Sequence, residues 1–194
     1  MAEQLDSGKP LVDLSGSLGY DVPLVAHGVN LDFEGLDVAY KHDFTALVEE
    51  MSEVLDDVFV ATPAVDWEGA YDYDALAFAS EGLFIMGYGY HWSGGDPGPI
   101  APLHGGTPWG SHSLSWSVED HLKWGAPASK VILGLPLYGR LWPTTGAEIP
   151  GAATGEGVAV TYSSATVMLE DHDRSWDSVT TTPYLLPTSR EQLW

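Results

Sequence analysis

Residues 25–35 read Val-Ala-His-Gly-Val-Asn-Leu-Asp-Phe-Glu-Gly, and their two-residue alternation decides the fold. In an extended strand Val29, Leu31 and Phe33 fall on one side, and Asn30, Asp32 and Glu34 on the other. A polar row on an otherwise apolar strand is costly to bury without a purpose. Turned into an enclosed site, Asp32 and Glu34 would stand about 7 Å apart at Cα. Two carboxylates that close resist ionising together, which suits one of them to a general acid. Left on the edge of a sheet, the same residues are simply solvated acids.

Working outward, apolar residues Phe44, Leu47, Val48, Met51, Val54 and Leu55 recur at helical spacing, with Asp43 as the expected N-cap. DVFVATPAV (57–65) reads as a strand, and a short helix is expected near 73–80 after Asp72. GLFIMGYGYHW (82–92) reads as a buried strand, followed by a Gly/Pro-rich loop to about residue 113. SVEDHLKW (117–124) is expected to be a helix capped by Ser117 and stopped by Gly125. KVILGLPLYG (130–139) reads as one more buried strand. Strands and helices therefore alternate from 25 to 142, the pattern of parallel strands with crossover helices covered on both faces. Residues 1–24 are weakly patterned and read mostly as loop, and 143–194 turn to Thr, Ser, Gly and Pro with one helical stretch near 163–171.

Composition narrows the partners. The chain has 194 residues, with 28 Asp and Glu against 7 Lys and Arg and a net charge of −21. Phosphate backbones and anionic membrane surfaces are repelled by such a chain, so neither nucleic acid nor membrane is an expected partner. The absence of Cys removes disulfides and thiolate chemistry. No apolar run approaches the ~20 residues of a spanning helix, and MAEQLDSGKP shows no signal peptide. Carboxylates at i and i+2 without clustered His are poor metal ligands, so no metal and no cofactor is expected.

Three clusters fall at the carboxyl ends of expected strands, where α/β sites form. They are Asn30, Asp32 and Glu34; Met86, Tyr88, Tyr90, His91 and Trp92; and Tyr138, Arg140 and Trp142. Aromatic rings with polar tips suit sugar rings, although they serve equally as core residues. Arg140 is one of only three arginines, which suits a substrate contact or a structural ion pair.

GVNLDFEG resembles the D-G-x-D-x-D-x-E strand of glycoside hydrolase family 18, the chitinase-like family, and IMGYGYHW resembles its M-x-Y-D-Y strand. VFVATPAVDW, DPGPIAPL and KVILGLPLYGRLW match the intervening and later segments in the same order. Asn30 in place of the first inner Asp brings the chain nearest the bacterial spore-germination and wall-associated subgroup. The resemblance implies an α/β fold, a partial (β/α)8 TIM-type barrel resembling strands four to seven, over 25–142, with 143–194 as the insertion after the seventh strand. Strands one to three and eight have no counterpart, and the open sheet edges this leaves favour self-association.

The same resemblance implies an amino-sugar oligosaccharide or polysaccharide as partner, hydrolysed at β-1,4-N-acetylglucosamine linkages, in an extracellular or wall-associated setting. Glu34 matches the acid/base, Asp32 the carboxylate that steadies the 2-acetamido group, and Tyr88 the tyrosine that bonds the acetamido oxygen. Asn30, Met86, Tyr90, Trp92, Tyr138, Arg140 and Trp142 match substrate contacts. In this family the acetamido oxygen of the substrate is the nucleophile. Two positions depart from the pattern: His27 stands for the first Asp, and Gly89 for the Asp of M-x-Y-D-Y.

Overall fold

The computed structural model describes residues 12–13, 25–26 and 28–194. His27 and the remainder of 1–24, including the expected loop, lie outside the described residues. The chain divides into two compact units. One runs to Ile85 and adds His121–Ile132; the other comprises Met86–Asp120 and Leu133–Trp194.

The first unit is built on β3 (Gly28–Leu31), β4 (Asp57–Pro63), β5 (Gly82–Met86) and β6 (Val131–Gly134), whose last residues are counted with the second unit. The four strands lie in that order in one open sheet. β3 pairs with β4 in parallel, Gly28 opposite Asp57 and Leu31 opposite Val60. No side chain fits at Gly28, where a Cβ would fall 2.1 Å from the carbonyl oxygen of Asp57. Two further short strands, β1 (Val12–Asp13) and β2 (Val25–Ala26), form a separate antiparallel pair.

Helix α1 (Lys41–Val54) crosses from β3 to β4, and α2 (Tyr73–Ala79) from β4 to β5. The periodic residues of α1 do what their spacing implies: Phe44 and Val48 are buried, with Leu47 and Met51 packed beside them. They meet Val58 and Val60 of β4 and Leu76 and Ala77 of α2 in one core cluster. Each of the fully buried larger side chains among them, such as Val48 and Leu76, contributes about 1.5–3 kcal/mol by leaving water. Asp43 is not the cap. A 3-10 turn over Val38–Tyr40 precedes α1, and Asp37 caps it by accepting from the Ala39 N–H at 2.8 Å. Asp43 instead sits in the first turn of α1, where a carboxylate favours the helix dipole. Asp72 does cap α2, accepting from Ala75 N–H.

The helix expected at 117–124 begins earlier, as α3 (Leu114–Lys123). Ser113 is its capping side chain, accepting from the Trp116 N–H at 3.2 Å, while Ser117 is buried within the helix. Gly125 ends it as expected, at φ +103°. The N–H of Gly125 bonds the Leu122 carbonyl and that of Ala126 the His121 carbonyl, the paired closure that a left-handed glycine permits.

The strand expected over 130–139 is two strands. β6 stops at Gly134, and β7 (Tyr138–Pro143) joins a different sheet. Pro136 between them has no N–H to extend a ladder. The expected burial also fails here: Ile132, Leu133, Leu135 and Leu137 are exposed. Likewise the strand expected to reach Trp92 ends at Met86, and Gly89 beyond it has φ +77°.

The second unit carries a five-stranded sheet absent from the sequence reading. Its order is β8 (Val158–Thr161), β7, β11 (Glu191–Leu193), β10 (Thr182–Thr188) and β9 (Ser175–Asp177). All four strand pairs of this sheet are antiparallel. Helix α4 (Tyr162–Met168) follows β8, with Thr161 as its cap.

Candidate active site

β3 ends at Leu31, so Asp32 and Glu34 lie just past the strand rather than on it. The alternation survives as exposure only as far as Leu31: Asn30, Asp32 and Glu34 face solvent while Val29 and Leu31 pack against the core, but Phe33, expected on the apolar side, is exposed. The turn that follows is made by Gly35 at φ +67°, a conformation glycine adopts without cost.

Aromatic packing fixes this acidic segment. The ring of Phe33 lies 5.4 Å from that of Phe44, and Phe44 meets Tyr71 edge-on at 5.9 Å. The Tyr71 hydroxyl donates to the backbone carbonyl of Phe33, the residue between the two acids. Tyr71 is held in turn by Asp66, whose carboxylate accepts from the N–H groups of Ala70 at 3.1 Å and Tyr71 at 2.9 Å. Burial first, then the negative charges of Asp66, Glu34 and Asp32, push the Tyr71 phenol up to about 12. It therefore remains a donor at any physiological pH. The sequence reading missed Tyr71 and Asp66. The available signal was an aspartate followed by Gly69, which takes φ +69°, before the α2 cap.

In the second unit Tyr88 and Tyr138 come together edge-on, with ring centroids 6.3 Å apart. Met86 is half-buried, and the Gly87 N–H bonds the Gly134 carbonyl at 3.0 Å. Trp92 is exposed. The Tyr90 hydroxyl is engaged with Ser117 Oγ at 2.6 Å, and burial raises its pKa against the lowering effect of that bond. His91 Nδ1 lies 3.2 Å from the Asp96 carbonyl, and burial holds the imidazole below its usual range. Arg140 donates from Nη1 to the Gly157 carbonyl at 2.8 Å, a structural contact. Trp142 has no exposed surface. It packs with Ile100 and Trp194, and its indole N–H has no acceptor among the described residues. A sugar ring cannot stack on it in this conformation.

Among the described residues no group of three or more His, Cys, Asp and Glu could hold a metal ion, and no helix is long and apolar enough to cross a membrane.

The profile of glycosyl hydrolases family 18 matches residues 13–194. The chain belongs to this family. Its relatives include a Bacillus subtilis protein described as a sporulation-specific glycosylase, YdhD, 29% identical over 141 residues, which cover 68% of this chain and 30% of that protein. The solved chitinase of Trichuris suis superposes with a TM-score of 0.78 at 22% identity, over 93% of this chain and 55% of that one. A Cycas revoluta family 18 chitinase in complex with (GlcNAc)4 does so with a TM-score of 0.76 at 20% identity, over 92% and 57%. The chain thus spans under a third of the length of YdhD and a little over half of the solved chitinases.

Proposed function

We propose that this chain carries the catalytic segment of a chitinase-like hydrolase of β-1,4-linked N-acetylglucosamine glycans. Glu34 donates a proton to the glycosidic oxygen as the bond to the anomeric carbon breaks. The carbonyl oxygen of the substrate's own 2-acetamido group forms the new bond to that carbon, with Asp32 and Tyr88 steadying the acetamido group. Water then attacks the anomeric carbon, Glu34 takes back a proton, and the configuration is retained. Asn30, Met86, Tyr90, Trp92, Tyr138 and Arg140 are assigned to substrate contacts. The setting is extracellular or wall-associated, in keeping with the relatives that include a sporulation glycosylase and chitinases. The observation that supports this reading most directly is the exposed pair Asp32 and Glu34 at the end of β3, on a backbone fixed by Tyr71.

A second reading is a sugar-binding relative of low activity, with the 25–142 segment as a partial barrel. Gly89 favours it, since the carboxylate that the family places there is absent. Cleavage of a short chitin oligosaccharide by wild type and by Glu34→Gln separates the two. Turnover that vanishes in the variant while binding persists supports hydrolysis. Turnover retained in the variant removes Glu34 as the acid. Binding without turnover in either protein favours the second reading.

A further inference from the structure

Both edges of the four-stranded sheet lack the protection that edge strands normally carry. Among the described residues β3 has β4 as its only strand neighbour, and β6 has only β5. Each edge leaves a row of backbone N–H and C=O groups open to a further strand, and natural proteins blunt such edges with charged side chains or proline. Here β3 reads Gly-Val-Asn-Leu and β6 reads Val-Ile-Leu-Gly. Neither holds a charge or a proline, in a chain that is 18% charged. β6 is also uncovered on both faces. Successive side chains of a strand point to opposite faces, and Ile132 and Leu133 are both exposed. Parallel strands are otherwise covered on both faces.

Strand count identifies the occupant. β3 and β4 are parallel, and α1, α2 and α3 fall in the connections that join the four strands in turn. A (β/α)8 barrel closes with eight parallel strands. This sheet supplies four, and the chain spans a little over half of the solved chitinases. Two copies therefore bring eight. Setting β6 of one copy beside β3 of the other, in parallel, closes both seams about one twofold axis, with each contact made twice. Pairing β6 with β6 across a twofold axis would leave both β3 edges open.

We propose that the β3 and β6 edges bind a second copy of this chain, giving a twofold dimer in which eight parallel strands close one barrel. Asp32 and Glu34, just past β3, then lie at a seam between the copies. Two copies of charge −21 repel each other, and that repulsion is screened beyond about 8 Å at 0.15 M salt and about 3 Å at 1 M. The dimer therefore tightens with salt.

Sedimentation velocity tests this on the full chain over a range of micromolar concentrations, at 0.15 M and 1 M salt. Twice the mass of one chain is expected, with tighter association at 1 M. Ile132→Lys sets an ammonium group in the seam and should weaken the dimer by at least about tenfold. Ile132 is exposed in the single chain, so the variant should keep the wild-type circular dichroism. Cross-linking reads the pairing independently of that variant, and the absence of native Cys makes it clean. Asn30→Cys and Ile132→Cys, equilibrated together and treated with a short bis-maleimide, should give a linked pair that neither gives alone. A single-chain mass at every concentration and salt leaves the edges to a different partner and overturns the proposal. So does a mass above two copies, a dimer unaffected by a folded Ile132→Lys, no linked pair in the mixture, or linking of Ile132→Cys by itself. The hydrolytic reading is judged separately, by chitin oligosaccharide turnover in wild type and Glu34→Gln.

Discussion

The phenol of Tyr71 donates a hydrogen bond to the carbonyl of Phe33, the residue that separates Asp32 from Glu34. The loop after β4 therefore sets the backbone on which both acids stand. Removing the hydroxyl leaves the aromatic packing in place and frees the segment. Tyr71→Phe should cost about 0.5–1.5 kcal/mol in denaturant unfolding and lower oligosaccharide turnover, with substrate affinity changed less than kcat. Because the folded phenol titrates near 12 against an ordinary 10.0, its contribution is complete below pH 10 and is lost as pH rises toward 12. Tyr71→Phe should lack that alkaline loss. Unaltered turnover would show that the acids hold their positions without it.

Gly89 stands where the family pattern has an aspartate, at φ +77° with nothing within 4 Å of a Cβ built on it. Gly89→Asp meets no clash there, but an L residue in that conformation costs about 1 kcal/mol. The variant should be slightly less stable and more active. Gly89→Asn supplies the same strain without the charge and should show the stability loss alone. Equal activities in the two variants would show that the carboxylate is not the missing element.

Asp177 accepts from the Thr180 N–H and hydroxyl, each at 2.8 Å, and from Val179 N–H and the Trp109 indole, each at 3.1 Å. Burial alone would raise its pKa, but these donors outweigh it and hold the carboxyl below 3.8. The stability it supplies is present above 3.8 and is lost as pH falls through the folded value. Below about pH 4, wild type should lose stability more steeply than Asp177→Asn in thermal melts. Parallel curves would show that this carboxylate does not contribute to acid unfolding.

Trp142 lies wholly within the core of the second unit. Trp142→Ala should cost about 3–5 kcal/mol, and Trp142→Phe less, while the folded fraction keeps its sugar affinity. A specific loss of affinity at unchanged stability would return Trp142 to the substrate contacts.

The short-range patterns were readable from the residues themselves. Helix α1 is written in the spacing of Phe44, Val48 and Met51, and the stop of α3 in Gly125, because helical period and left-handed glycine act over a few residues. The family was readable from ordered motifs around Asp32, Glu34, Tyr88 and Tyr138 for the same reason. Caps were misplaced by a turn at Asp43 and Ser117, since an extra 3-10 turn or an earlier serine serves the same N–H groups equally well.

The sequence by itself determined the order of strands and helices between 25 and 134 and the membership of family 18. Only the tertiary structure decided that Tyr71 anchors those acids, that Trp142 is core, and that residues 138–193 build an antiparallel sheet. The physical reason is range. A hydrogen bond between residues 33 and 71, or a strand pair between residues 141 and 193, leaves no periodic mark in either segment. Whether an aromatic ring is buried or faces solvent depends on what the rest of the chain packs against it.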